Sequence, residues 1–260
     1  MHIAVIIPAR YGSTRFIGKP LAPIAGISMI ERMHRLALAV KGITEVVVAT
    51  DDERIINHVE NFGGRAIMTP ENCPNGTERA LAACEAMKTK PDVVINLQGD
   101  AVLTPPWIIQ PLVDVFSDAA VQMATPMVRY TAAQYETLKK SKENGVVGGT
   151  TVTFNHQKDA LYFSKSIIPF IRGTIENPPI YRHIGLYAYR FSTLARYVTL
   201  KQGPFEAVEQ LEQLRALEHG IPIRMVEVDY RGRMHWAVDS PADVAIVEEI
   251  IAREGELWDA

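Results

Sequence analysis

Short, fully apolar runs recur at intervals over the first half of the chain. They are HIAVII (2–7), EVVVAT (45–50), DVVINLQ (92–98) and VQMATP (121–126). Apolar runs of this length, bounded by turn-forming residues, are typical of strands that are buried on both faces of a parallel sheet. The pattern therefore predicts buried parallel strands at these four places.

The segments between the runs have the spacing of amphipathic helices, and they cover 28–40, 52–62 and 77–87. Thr77 is a candidate N-cap for the third helix, and Gly63-Gly64 would end the second. Strand and helix alternating in this way predict right-handed crossovers and helices on both faces of the sheet. The predicted fold class is α/β, a three-layer α/β/α sandwich.

From about Thr150 the pattern changes to short strands separated by turns. TTVTFN (150–155), ALYFS (160–164) and HIGLYAYR (183–190) are typical of antiparallel strands. We interpret about 150–190 as a small antiparallel lobe inserted into a single domain that spans 1–260. After it, the sequence predicts helices at 206–218 and 241–253, with strand IRMVEV (223–228) between them.

Composition, net charge and cysteine content limit the classes of function that the protein can have. The 260 residues are 47% hydrophobic and 22% charged, with a net charge of -3, which disfavours a general nucleic-acid or acidic-membrane binder. The two cysteines, Cys73 and Cys84, form neither a disulfide framework nor a zinc spacing, so the cytoplasm is the expected location. We predict neither a signal peptide nor a membrane insertion.

A basic loop directly follows the first predicted strand and contains Arg10, Arg15 and Lys19. Ligands of open α/β sheets bind at the carboxyl ends of the strands, where this loop should lie. Its glycines do not have the spacing of a Walker A or a dinucleotide motif, and Lys19 precedes a proline. We favour phosphate binding over a merely solvated loop.

Two aspartates are candidate metal ligands. Asp100 follows the third strand, on the edge where the basic loop is expected, although aspartate is also common in turns. Asp239 precedes Pro241, which suits the first position of a helix, so Asp239 or Ser240 is the natural N-cap. The residues alone leave Asp100 undecided and favour a cap for Asp239.

Motifs along nearly the whole chain identify a family. They are IPARYGSTRFIGKPL (7–21), VVVATDD (46–52), NGTERALA (75–82), NLQGD (96–100), ALYFSKSIIP (160–169), RHIGLYAY (182–189), EQLEQLRALEHG (209–220) and VDSPADV (238–244). In this order they resemble the CMP-sugar-acid synthetases, and most closely the CMP-Kdo synthetase family. The resemblance implies a Rossmann-like nucleotidyltransferase fold and an enzyme for lipopolysaccharide synthesis.

The implied reaction joins CTP to a 3-deoxy-manno-octulosonic acid and releases pyrophosphate, with Mg²⁺ as cofactor. The resemblance implies catalytic roles for Arg10, Lys19 and Asp100, and Mg²⁺ coordination by Asp100 and Asp239. It implies a nucleotide-binding set of Pro8, Ala9, Arg10, Ser13, Lys19, Asn75, Gly76, Arg79 and Gln98.

The resemblance also implies a sugar-binding set, with Arg182 beside it, and a homodimer formed through the lobe. The set comprises Arg15, Gln98, Lys165, His183, Tyr187, Glu209 and Gln213. The alternation of His183, Gly185 and Tyr187 also suits the packed face of a half-buried strand, so that alternative stays open.

Four places depart from the family pattern: Ala101, Pro74-Asn75, Thr151 and Lys165. They surround the expected site, and together they favour weakly a sugar with an altered tail, the 8-amino-3,8-dideoxy form, although the loss of an acidic residue at Ala101 argues the other way. Four alternatives remain: another sugar acid such as sialic acid, a guanylyl- or uridylyltransferase of the same fold, a catalytically silent relative, and a non-enzymatic nucleotide-binding module.

Overall fold

The computed structural model describes residues 1–12, 15–173 and 175–258. The chain forms two compact units. The first comprises 1–114, 188–198 and 230–260, and the second comprises 115–187 and 199–229. The lobe expected at about 150–190 falls within the second unit except for its last three residues, and its role in sugar binding or dimer contact stays a prediction.

Strands and helices follow one another along the whole described part of the chain. The strands are β1 (Ile3–Ala9), β2 (Pro23–Ile24), β3 (Ile27–Ser28), β4 (Glu45–Thr50), β5 (Arg65–Met68), β6 (Val93–Asn96), β7 (Met123–Arg129), β8 (Thr151–Phe154), β9 (Ala160–Ser164), β10 (Tyr181–His183), β11 (Tyr187–Arg190) and β12 (Ile223–Glu227). The α-helices are α1 (Met29–Leu38), α2 (Glu53–Asn61), α3 (Gly76–Ala86), α4 (Pro106–Asp114), α5 (Ala132–Glu143), α6 (Phe191–Val198), α7 (Pro204–Glu209), α8 (Leu214–Glu218) and α9 (Pro241–Glu254).

The sheet of the first unit has the strand order β5-β4-β1-β6-β11. β1 pairs in parallel with both β4 and β6, and β4 pairs in parallel with β5. Residues 3–7 of β1 and 93–95 of β6 are buried on both faces, as their continuous apolar sequences predict. The three predicted strands of this unit are therefore confirmed.

Helices lie on both faces of this sheet. The chain steps from β1 to β4 to β5 in one direction and then returns past β1 to β6. Because crossovers between parallel strands are right-handed, this reversal puts α3 on the face opposite α1 and α2. α1 contacts the C-cap residue of α2 through His34 and Phe62, whose ring centroids are 5.3 Å apart. The predicted three-layer α/β/α sandwich is confirmed.

The helix ends agree in part with the local sequence signals. Gly63, with φ of 80°, follows the C-cap of α2, as predicted. The N-cap of α3 is Asn75 rather than Thr77, because the Asn75 Oδ1 accepts a hydrogen bond from the Glu78 backbone N–H at 2.8 Å. Thr77 instead lies inside the helix, buried.

The sheet of the second unit is mixed. β7 pairs in parallel with β12 and antiparallel with β10, and β10, β8 and β9 follow as antiparallel neighbours. The predicted turn between β8 and β9 is present, since the Asn155 Oδ1 accepts hydrogen bonds from the backbone N–H groups of Gln157 and Asp159. The fourth apolar run therefore forms a strand, β7, but it belongs to this mixed sheet.

Two continuous elements expected in this part of the chain are interrupted. The strand expected at 183–190 is divided into β10 and β11, because the Thr125 hydroxyl bonds to the carbonyl oxygens of Ile184 and Leu186 between them. The helix expected at 206–218 is divided into α7 and α8 by Gln210, which has φ of 51°. Among the described residues no helix is both long and apolar enough to span a membrane.

The buried guanidinium of Arg32 on α1 provides a test of the packing of the first unit. Its side chain is 1% exposed and donates to the Ile24 carbonyl oxygen at 2.8 Å and to Glu256 Oε2 at 2.7 Å. Arg32→Met should lower the free energy of unfolding by about 3 kcal/mol, because it leaves a partly buried carboxylate and a carbonyl group unpaired. Urea denaturation followed by circular dichroism measures this loss.

The matched control is Arg35→Met, on the same helix. Arg35 is 46% exposed and pairs with Glu31, so its loss should cost about 1 kcal/mol or less. Equal losses in the two variants would contradict the structural role given to Arg32.

Candidate active site

A cavity of about 420 Å³ opens at the carboxyl ends of β1 and β6 in the first unit. Its lining combines the basic loop, the turn after β6, the start of α3 and the segment before α9. The lining residues are Pro8, Ala9, Arg10, Arg15, Lys19, Pro20, Met29, Cys73, Pro74, Asn75, Gly76, Arg79, Gln98, Gly99, Asp100 and Asp239. A volume of this size accommodates a small-molecule ligand.

The reversal of strand order explains why the cavity lies here. β4 and β6 lie on opposite sides of β1, so the connections that follow β1 and β6 diverge and leave a crevice between them. Gly99 allows the turn after β6 to pass close to β1. A Cβ atom on Gly99 would lie 2.8 Å from the Pro8 carbonyl oxygen, too close for any other residue without a shift of the backbone.

The basic loop closes on itself and presents Lys19 to the cavity. The Gly18 N–H donates to the Tyr11 carbonyl oxygen at 2.9 Å, and Gly18 has φ of 71°, in the left-handed region that favours glycine. The half-buried Lys19 Nζ then donates to Asp100 Oδ2 at 2.8 Å and to the Val238 carbonyl oxygen at 2.9 Å. Lys19 therefore joins two segments that are far apart in sequence.

A second ion pair lies in the same cavity. The Arg15 guanidinium donates to Asp239 Oδ1 at 2.9 Å, and both side chains are at least half exposed. Arg10 follows β1 directly and is exposed on the cavity lining. Ser13, in the predicted nucleotide-binding set, lies outside the described residues.

The N-cap of α9 is Ser240, which leaves the Asp239 carboxylate available for other contacts. Ser240 forms a capping box with Asp243, whose Oδ2 accepts the Ser240 N–H at 2.7 Å. The hydrogen bond from the Trp236 indole N–H, with those from Ser240, lowers the pKa of Asp243 to about 2. Of the two cap candidates, the structure selects Ser240.

Arg79 occupies the buried side of the cavity and is held by two partners that sequence analysis missed. Its guanidinium donates to Thr69 Oγ1 at 2.6 Å and to Asp51 Oδ2 at 2.5 Å. Asp51 follows β4 directly, so its place after the neighbouring strand of the sheet was a signal that could have identified it. Pro20, Met29 and Cys73 were likewise missed as lining residues.

The cavity lining contains no activated nucleophile among the described residues. Cys73 is the only thiol there, and burial raises its pKa, so the sulfur stays protonated near neutral pH. Three or more metal-ligating side chains do not come together anywhere in the described part of the chain. Cations and two carboxylates around one cavity instead suit a polyanionic ligand, whose oxygens would complete the coordination of a divalent metal.

Three residues of the predicted sugar-binding set line another cavity, of about 340 Å³, in the second unit: His183, Tyr187 and Gln213. Arg182 lines it too. Gln213 is 4% exposed, and no described residue gives its Nε2 a hydrogen-bond partner. One residue of the cavity lining therefore carries a buried donor without a partner among the described residues.

His183 is neutral. Burial lowers its pKa to about 3, and its Nε2 lies 2.9 Å from the Thr125 Oγ1. Because the Thr125 hydroxyl has one proton and bonds to carbonyl oxygens, its oxygen must accept from His183 Nε2–H. The Nδ1 of His183 is then a bare hydrogen-bond acceptor.

The remaining members of the sugar-binding set lie elsewhere. Glu209 accepts hydrogen bonds from Ser164 Oγ at 2.7 Å and from the Lys165 backbone N–H at 2.9 Å, and neither Glu209 nor Lys165 lines the second-unit cavity. Arg15 and Gln98 line the cavity of the first unit. The sugar-binding roles of all these residues stay predictions.

Comparison with known proteins identifies relatives of nearly full length. The family model described as cytidylyltransferase matches residues 4–225. A 3-deoxy-manno-octulosonate cytidylyltransferase of Maricaulis maris is 55% identical over 258 residues, which is 99% of this chain and 100% of that protein. An 8-amino-3,8-dideoxy-manno-octulosonate cytidylyltransferase of Shewanella piezotolerans is 38% identical and covers 97% of this chain and 99% of its own length.

A solved structure agrees with these relatives. A CMP:2-keto-3-deoxy-manno-octonic acid synthetase complexed with CTP superposes with a TM-score of 0.86 at 38% identity, covering 98% of this chain and 100% of that one. With the family model matching most of the chain and this agreement in fold, the protein is a nucleotidyltransferase that belongs to the cytidylyltransferases and, within them, to the CMP-Kdo synthetase family.

Proposed function

We propose that the protein catalyses the Mg²⁺-dependent reaction of CTP with 3-deoxy-manno-octulosonic acid, giving the CMP-sugar and pyrophosphate. One observation carries the proposal. Three cations of the basic loop and two aspartates line one cavity at the point where strand order reverses, in a chain of this family. The homodimer and the cytoplasmic location expected from the sequence stay predictions.

The basic loop is suited to hold the triphosphate. Arg10, Arg15 and Lys19 offer positive charge to the phosphate oxygens, and Lys19 is the least exposed of them, with 15% of its side chain accessible. An ion pair in such a water-poor place is stronger than one at the surface. We infer that Lys19 stabilises the charge that develops as pyrophosphate leaves.

Asp100 and Asp239 are suited to a Mg²⁺ ion that also binds phosphate oxygens, since Mg²⁺ in such sites commonly takes one or two carboxylates. When bound, the ion would neutralise phosphate charge and favour deprotonation of the attacking sugar hydroxyl. Cys73, the only thiol in the described part of the cavity lining, is protonated, which disfavours a covalent intermediate on cysteine and supports direct attack on the α-phosphorus.

The base of the nucleotide would lie beside the start of α3. Asn75, Gly76 and Arg79 come from this helix and its cap, and Gln98, Pro8 and Ala9 line the cavity with them. The Asn75 side-chain oxygen is used in capping α3, whereas its Nδ2 has only a 3.4 Å contact to Glu78. We propose that this amide nitrogen is the atom of Asn75 that contacts the cytosine.

The lining of the second-unit cavity is suited to bind the hydroxyl groups of a sugar. The bare Nδ1 of His183 accepts from a hydroxyl, and the unpartnered Nε2 of Gln213 donates to one. Thr151, one of the departures that favoured the 8-amino sugar, is fully buried. Its hydroxyl donates to the Ser166 carbonyl oxygen at 2.7 Å and accepts from the Ile168 N–H at 3.0 Å. This structural role explains Thr151 without an altered sugar.

The unmodified sugar should therefore be the better substrate, with kcat/KM about 10-fold above that of the 8-amino analogue, the size of discrimination that one added or lost polar contact supplies. Pyrophosphate release with CTP and each sugar acid measures the ratio, and sialic acid, GTP and UTP serve as controls. A higher value for the 8-amino sugar would reverse the preference, and no release with any pair would overturn the proposed function.

Lys19→Met should lower kcat/KM by about 10²- to 10³-fold, because it removes a donor that stabilises developing charge. The variant should still fold. The pyrophosphate assay measures the effect, and circular dichroism checks the fold. The control is Lys41→Met, since Lys41 is exposed and outside the cavity lining. Turnover of Lys19→Met equal to that of the control would contradict the role of the basic loop.

Asp100→Asn and Asp239→Asn should each raise the Mg²⁺ concentration needed for half-maximal activity by about 10-fold or more, and the double variant should lose little beyond either alone. Groups that act as a unit give such non-additive effects. Mg²⁺ titrations of the four proteins give the comparison. Fully additive losses would mean that the two carboxylates act separately.

A further inference from the structure

The turn that carries Asp239 is fixed from two sides. On the cavity side, the Val238 N–H donates to the Asp100 carbonyl oxygen at 3.0 Å, and the Val238 carbonyl oxygen accepts from Lys19 Nζ at 2.9 Å. Val238 itself is fully buried. The backbone before Asp239 is thus tied to two other residues of the cavity lining.

On the helix side, one carboxylate receives four hydrogen bonds. Asp243 Oδ2 accepts from the Asp239 N–H at 3.0 Å, the Ser240 N–H at 2.7 Å and the Ser240 hydroxyl at 2.8 Å. Asp243 Oδ1 accepts from the Trp236 indole N–H at 2.9 Å. Asp243 lies outside the cavity lining, so its contacts reach the cavity only through the turn.

We infer that Asp243, assisted by Trp236, is a positioning residue that fixes the Asp239 carboxylate for metal coordination. This inference rests on the proposed function, in which Asp239 is a metal ligand. Residues that orient metal ligands without touching the ion commonly contribute about 10- to 100-fold to metal affinity.

Helix capping does not account for the whole arrangement. The capping box needs the bonds between Asp243 and Ser240 and stabilises α9. The bonds from the Asp239 N–H and the Trp236 indole lie outside that motif and connect Asp243 to both ends of the turn. A residue that only capped the helix would not require them.

Substitution at Asp243 separates these roles. Asp243→Asn keeps the size of the side chain but replaces one acceptor oxygen with a donor, which must face at least one of the N–H groups. Trp236→Phe removes only the indole bond and leaves the capping box intact. Ser240→Ala is the matched control, because it removes the capping hydroxyl and keeps the bonds to Trp236 and to the Asp239 N–H.

The experiment measures binding of Mn²⁺ in the presence of CTP and the absence of sugar, by the loss of the free Mn²⁺ signal in electron paramagnetic resonance beyond the loss that the same concentration of CTP causes without protein. We expect the Mn²⁺ dissociation constant to rise about 10-fold in Asp243→Asn, about 3-fold in Trp236→Phe and less than about 2-fold in Ser240→Ala. Thermal unfolding of each variant is measured alongside. If Asp243→Asn does not fold, the inference is tested by comparing the Mn²⁺ dissociation constants of Trp236→Phe and Ser240→Ala.

A second set of proteins tests whether Asp243 acts through Asp239. In an Asp239→Asn background, adding Asp243→Asn should weaken Mn²⁺ binding by less than about 2-fold, because the positioned ligand is already lost. A further loss of about 10-fold there would overturn the inference.

The other outcomes separate this inference from the proposed function. Unchanged Mn²⁺ affinity in Asp243→Asn and Trp236→Phe, with binding lost in Asp239→Asn, would overturn the positioning role and leave the metal assignment standing. Equal weakening by Ser240→Ala would reduce Asp243 to a helix cap. No Mn²⁺ binding by the unaltered protein with CTP would overturn both.

Discussion

The close approach of the β6 turn to β1 underlies the geometry of the first-unit cavity. At Gly99 the backbone passes the Pro8 carbonyl oxygen with no room for a Cβ atom. β4 and β6 flank β1 on opposite sides, so the basic loop and the turn with Asp100 diverge just beyond this contact. The carboxyl ends of the two strands can then supply cations and carboxylates to the same cavity. Any larger residue at position 99 would force these two edges apart.

Charge balance governs what this cavity can bind. Lys19 is paired with Asp100 and Arg15 with Asp239, so each carboxylate already has a cation as partner. A triphosphate would draw the cations to its own oxygens, and a divalent ion would take their place at the carboxylates. Such an exchange would keep the charges compensated, and it would matter most at the half-buried Lys19 and Asp100, where an unpaired charge is costly. The net charge of -3 says nothing of this local arrangement.

The second unit offers different chemistry to a ligand. Its cavity relies on a neutral imidazole and an unpartnered amide donor, His183 and Gln213, rather than on paired charges alone. Several polar residues nearby serve the structure instead. Glu209 ties the end of β9 to α7, and Thr151 ties β8 to residues 166–168. Some polar side chains of the second unit therefore stabilise its backbone, and others line its cavity.

The sequence alone determined the strands β1, β4 and β6, the α/β class and the basic loop, because continuous apolar runs and turn residues report local burial directly. It missed α5, where Leu138 is the only buried residue, since a helix with so little apolar surface leaves no periodic signal. Motif resemblance joined Asp100 and Asp239, but the residues could not show which of Asp239 and Ser240 caps α9. Tertiary structure alone decided that choice and the pairing of Lys19 with Asp100. The pair of Lys19 and Asp100 joins residues 81 positions apart, and it depends on strand order, which no local pattern encodes.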